Sequence, residues 1–72
     1  VVRDPAVHLE VLENFRALAY SLDFTIRNMT FSPVKGPEGN IEFLAHLSLL
    51  PGDAFEKDLS ILVGEAHSTL DR

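Results

Sequence analysis

Ser32-Pro33-Val34-Lys35-Gly36-Pro37-Glu38-Gly39-Asn40, followed by Ile41-Glu42-Phe43-Leu44-Ala45-His46-Leu47-Ser48-Leu49, is the stretch on which the reading of this 72-residue chain turns. Two prolines and two glycines within residues 32–40 cannot continue a helix or a central strand, so these residues form a loop. It is longer than a tight hairpin turn, and loops held at both ends by a scaffold often carry function. The residues after it alternate. Ile41, Phe43, Ala45, Leu47 and Leu49 point one way, and Glu42, Leu44, His46 and Ser48 point the other. That period of two predicts a strand over 41–49.

Working outward, 24–31 is rich in the β formers Phe, Thr and Ile and reads as a second strand. Its alternation fails midway, with Phe24 and Ile26 on one face but Met29 and Phe31 on the other. Either both faces are covered or a bulge sits near Arg27-Asn28. Asp4-Pro5 opens a helix, the Asp as N-cap and the Pro at the first helical position. Val11, Leu12, Phe15, Leu18, Ala19 and Leu22 then form one apolar stripe, and Asp23 suits a left-handed stop. Leu50-Pro51-Gly52 breaks the later strand. Asp53, with Glu56 three residues on, predicts the cap of a second helix whose stripe is Phe55, Leu59, Leu62, Val63, Ala66 and Leu70. Glu56 and Asp58 at its start and His67 and Arg72 at its end suit the helix dipole. The expected fold class is α/β, in the order α-β-β-α.

Composition narrows the function classes. Six Lys+Arg against eleven Asp+Glu give a formal net charge of −5. Holding a phosphate backbone unaided requires clustered positive charge, so this chain is poorly suited to it. It contains no cysteine, which excludes thiolate nucleophiles and Cys-based zinc sites. No apolar run approaches the ~18 residues that suggest a membrane span. A domain this small, without disulfide or metal, is marginal as an isolated monomer. With its start at Val1-Val2-Arg3, this leads us to expect a fragment, or a chain that completes its core with a partner.

Few residues can carry chemistry. Gly36-Pro37-Glu38-Gly39-Asn40 matches neither a Walker loop nor a dinucleotide fingerprint, and a strand rather than a helix follows it. On its own it reads as a wide turn between strands. Glu42 and His46, four apart on a strand, stand about 13 Å from each other and would not share one metal ion. His8 reads as a packed helix residue, His46 as a sheet residue and His67 as a solvated partner of the helix dipole. None of the serines has nucleophile-elbow surroundings. Glu42 is the acid of interest, because it leaves a Gly/Pro loop at the start of a strand and can project into a cleft at the sheet edge.

Val1-Val2-Arg3-Asp4-Pro5-Ala6-Val7-His8 and Ser32 to Leu44, with the pattern S-P-x-x-G-x-x-G-N-x-E-F, resemble the C-terminal end of the hemolysin A-type (TlyA) family of FtsJ-like RNA methyltransferases. The resemblance covers residues 1–50 as the C-terminal portion of the methyltransferase domain and leaves 51–72 as a helical extension. It implies the end of a doubly wound, Rossmann-like sheet with its last strand antiparallel. It also implies transfer of a methyl group from S-adenosylmethionine to an rRNA ribose 2′-hydroxyl in the cytoplasm, and no membrane role. Glu42 matches the terminal Glu of the family's Lys-Asp-Lys-Glu constellation, and Gly36, Gly39 and Asn40 would shape the substrate site beside it. The family's cofactor-binding turn, its tetrad Asp and both tetrad lysines have no counterpart here, and Lys35 and Lys57 do not stand at those positions. The 72 residues are therefore expected to bind no cofactor and to be inactive alone. They would need the rest of the domain, or a second copy, to complete the sheet. The alternative is a small non-enzymatic α/β interaction module that self-associates through open strand edges.

Overall fold

The computed structural model describes residues 4–70. Four elements follow in the expected order: α1 (Pro5–Ser21), β1 (Thr25–Phe31), β2 (Phe43–Ser48) and α2 (Leu59–Leu70). The strands form a two-stranded antiparallel sheet. Val1, Val2, Arg3 and Arg72, which entered the sequence reading, lie outside the described residues.

Local chemistry sets both ends of α1. Asp4 Oδ1 accepts the backbone N–H of Ala6 at 2.9 Å, and Pro5 follows as the first helical residue. At the other end Asp23 adopts a left-handed φ of 65°. Phe24 N–H returns to Ala19 O at 2.9 Å and Asp23 N–H to Tyr20 O at 3.1 Å. This is the Schellman pattern, with Asp in the position Gly usually takes. It turns Phe24 back against the core beside Ala19.

The apolar stripe of α1 is rotated from the expected one. His8, Leu12 and Ala19 are buried, while Val11, Leu18 and Leu22 are exposed. The helix has a wider apolar arc than this chain can cover, so only one side of the arc meets α2 and β1. The other side, at Val11, faces an open groove.

The failed alternation in β1 is a bulge, not burial on both faces. Ile26 stands opposite Leu47 and Asn28 opposite His46, which leaves Arg27 as the extra residue. The extra residue returns Met29 to the face of Ile26, and both are buried. Leu12, Ala19, Ile26, Met29, Leu59, Leu62 and Val63 make the core on that face, with Phe15, Phe24, Phe43 and Phe55 packed against it. The opposite face carries Asn28, Thr30, Leu44 and His46, all exposed. β2 is shorter than expected: Leu49 lies beyond it, largely exposed, and Glu42 immediately precedes it.

The start of α2 requires a correction. Asp53 caps no helix; the helix begins at Leu59, and Asp58 holds its end. Asp58 Oδ1 accepts Ser60 N–H at 2.8 Å and Ser60 Oγ–H at 2.7 Å. These bonds, the side-chain one first, hold the Asp58 carboxyl below its ordinary range. The D-x-x-E pattern at Asp53 loses because Phe55 N–H is committed to Ile26 O, at 2.7 Å, beside the bulge. Arg27 Nη2 also donates to Leu50 O (3.2 Å) and Pro51 O (3.0 Å). Tertiary bonds thus keep residues 51–58 non-helical. Phe55 still reaches the core, from this irregular segment rather than from a helix face.

Candidate functional site

The loop between the strands is closed twice. Ser32 N–H donates to Glu42 O at 2.8 Å and extends the ladder past the end of β2. Inside that neck, Gly36 N–H donates to Asn40 O at 2.8 Å, and Gly39 N–H donates to Gly36 O at 2.9 Å. Gly39 takes φ 81°, a conformation with a steric penalty for any residue bearing a Cβ. The result is a compact turn, Gly36 to Asn40, set on a hydrogen-bonded stem.

Glu42 is exposed, and its carboxylate folds back over that turn. A Cβ built on Gly36 would stand 3.1 Å from Glu42 Oε2, 3.2 Å from Glu42 Cδ and 3.1 Å from Asn40 Oδ1. The side chains of Glu42 and Asn40 therefore converge over a bare α-carbon. The structure brings together all four residues singled out in the sequence: Gly36 as the floor, Gly39 as the left-handed corner, and Asn40 and Glu42 as the polar groups above. A carboxylate so placed can orient an ammonium group or accept a hydroxyl proton in a hydrogen bond.

Beside the turn runs an open groove of about 720 Å³ between α1 and β2, lined by His8, Val11, Phe15, Asn40, Phe43 and Ala45 among others. Its walls are mainly apolar and its polar groups few. His46 lies on the far, open face of the sheet, away from the core. Among the described residues no cluster of three His, Asp or Glu side chains could hold a metal ion.

His8 is buried, as its helix position suggested, at 7% exposure. Its Nδ1 lies 2.7 Å from His67 Nε2, and its ring meets Phe43 edge to face at 5.5 Å. His67 is thus not a solvated dipole partner; it is half-buried and bonded across the two helices. Nothing local could reveal this pair, whose members are 59 residues apart. The stem of the loop and the seat on Gly36 were equally hidden, because both depend on strand register.

These features define a segment of an α/β protein with an acidic residue poised at a strand entrance. The chain is 38% identical, over 97% of its length, to "Putative rRNA methyltransferase YqxC" of Bacillus subtilis (strain 168), covering 27% of that protein. It is 39% identical over 64% of its length to "Hemolysin A" of Brachyspira hyodysenteriae, covering 19% of that protein. A solved structure, "Putative hemolysin from Streptococcus thermophilus", superimposes with a TM-score of 0.79 at 36% identity, over 97% of this chain and 26% of that one. No family model matches the chain. On these similarities the chain is a TlyA-like segment. It spans about a quarter of the length of the Bacillus subtilis and Streptococcus thermophilus proteins.

Proposed function

We propose that this chain is the C-terminal portion of an S-adenosylmethionine-dependent rRNA ribose 2′-O-methyltransferase and contributes one catalytic-site acid, Glu42. The observation that carries the reading is the Glu42 carboxylate seated over Gly36 at the mouth of β2, in a chain so similar to a protein named as an rRNA methyltransferase. A ribose hydroxyl is a weak acid and must lose its proton as the new bond forms, which requires a base close by and partly neutral. Glu42 would orient and polarise such groups, an ammonium above all, rather than attack. Asn40 and the Gly36–Gly39 turn keep the carboxylate at the edge of the sheet.

The residues present do not fit S-adenosylmethionine. The glycine-rich segment joins two strands, so it offers no helix N-terminus to the cofactor. In this reading the cofactor, the RNA and the proton-accepting base are held by the rest of the parent protein, and the segment alone is inactive. The groove between α1 and β2 is where further sheet and side chains of that parent would pack. A doubly wound sheet, with β2 as its antiparallel strand, satisfies this requirement. No described helix is long and apolar enough to cross a membrane, and an rRNA substrate fits a cytoplasmic protein.

The test is Glu42→Ala in a full-length protein carrying this segment, with methyl transfer to ribosomal RNA as the readout. Turnover should fall by about 10²-fold or more while the melting temperature is retained. Near-normal turnover would remove Glu42 from the site.

A further inference from the structure

We propose that the outer edge of β1 is sealed against strand addition by Asn28, Arg27 and the segment 50–55, and that this seal keeps a second copy of the chain from pairing there. A two-stranded sheet has two outer edges, and each offers a row of backbone N–H and C=O groups on which a further strand can form. In an antiparallel ladder successive residues turn these groups alternately toward the partner strand and away from it. The bond from Ser32 N–H to Glu42 O fixes the phase. With the register Asn28↔His46 and Thr30↔Leu44, it sets Asn28, Thr30 and Ser32 toward β2. Met29 and Phe31 then face outward, and so does Ile26 on the other side of the bulge.

Three features close that outward row. Ile26 O accepts Phe55 N–H at 2.7 Å, so the segment leading to α2 crosses the place where a new strand would lie. Met29 N–H donates to Asn28 Oδ1 at 2.9 Å, which withdraws the next outward donor. The bulge at Arg27 breaks the even spacing that a second ladder needs. Arg27 also fastens the crossing segment, since its Nη2 donates to Leu50 O at 3.2 Å and to Pro51 O at 3.0 Å. Gly52 makes room for this contact, because a Cβ there would overlap the guanidinium. Phe55 anchors the far end of the segment against the core.

Among the described residues, β2 carries none of these devices. Residues 43–48 hold no proline, glycine or charged side chain, and the register is unbroken from Phe43 to His46. Its outward residues, Phe43, Ala45 and Leu47, are apolar, and Phe43 and Ala45 border the open groove. The asymmetry has a geometric consequence. A chain with one open edge stops at a pair, because pairing consumes the edge. A chain with two open edges adds copies without closing. The seal on β1 is therefore what bars this sheet from extending into a fibre.

The test is the size of the full 72-residue chain by sedimentation velocity and light scattering over a dilution series, with far-UV circular dichroism on each sample. Wild type is compared with Asn28→Thr and with the double variant Gly52→Ala, Asn28→Thr. Gly52 has no positive φ, so alanine fits its backbone and its Cβ meets the Arg27 guanidinium. Asn28 is exposed, and threonine suits a strand while lacking the carboxamide. Wild type should be a monomer or a dimer throughout the series. The double variant should reach a weight-average mass several-fold above wild type, with Asn28→Thr in between. Asn28→Thr alone carries the comparison if the double variant loses the wild-type dichroism. In hydrogen exchange, the outward Phe31 amide should become protected in the assembled variants. Open-ended assembly of wild type would overturn the proposal, as would folded variants of wild-type size. So would assembly that protects the Ala45 and Leu47 amides and leaves Phe31 exchanging, because growth would then run through β2.

Discussion

Replacing Gly36 by alanine should move activity and stability in opposite directions. The new Cβ would lie 3.1 Å from Glu42 Oε2 and from Asn40 Oδ1, where ordinary contact begins at 3.4 Å, so the carboxylate must retreat by about 0.3 Å. The groups displaced are the far ends of two side chains, not backbone, and they can give way. Gly36 has no positive φ, so alanine fits its backbone. Removing a glycine then restricts the unfolded chain and contributes about 0.4–1 kcal/mol of stability. For a domain of this size that raises the melting temperature by roughly 2–8 °C. Catalysis responds to the displaced carboxylate instead. A 1 Å misplacement costs on the order of 10²-fold. Scaled logarithmically, 0.3 Å corresponds to a loss of about 4-fold in turnover. The assay is methyl transfer to ribosomal RNA by a full-length protein carrying the segment, beside a melt of the same preparation. Unchanged turnover in Gly36→Ala, in a protein that Glu42→Ala inactivates, would show that the seat on Gly36 does not set the working position of Glu42. Parallel loss of turnover and melting temperature would show that Gly36 serves the fold alone.

Two further outcomes follow from the local geometry. Gly39→Ala, at φ 81°, should destabilise the chain by roughly 1–2 kcal/mol and broaden the NMR signals of the 36–40 turn; a stability equal to wild type would refute the left-handed corner. Asp58→Ala should shorten α2, seen as lost helical ellipticity, whereas Asp58→Asn should keep it. Because the Asp58 carboxyl is held below its ordinary range by Ser60, its capping is present above about pH 4 and is lost as pH falls through the depressed folded value. The acid-induced loss of ellipticity should therefore be smaller in Asp58→Asn than in wild type.

The relation between sequence and structure is clearest at three places. Asp4-Pro5 and Asp23 set the two ends of α1 through bonds made within a few residues of themselves, so the sequence specified them nearly to the residue. The bulge in β1 was legible as a broken alternation, because side-chain direction along a strand has a strict period of two. The second helix misled. Asp53 and Glu56 satisfy a capping pattern, but Phe55 N–H bonds to Ile26 O, and the start of the helix moves to the cap at Asp58.

The sequence by itself determined the order of elements and the loop, and it marked Glu42 by its place at the entrance of a strand; Gly36, Gly39 and Asn40 were singled out through the family resemblance. The elements and the loop rest on local steric or hydrogen-bonding preference, which acts over a few residues wherever they stand in space. Only the tertiary structure decided which side of the α1 arc is buried and where α2 begins. It also decided that the Glu42 carboxylate rests over Gly36 and that His8 meets His67. Those outcomes depend on strand register and helix packing, which join groups far apart in the chain. A side chain's neighbours across such a gap leave no period and no motif in the sequence.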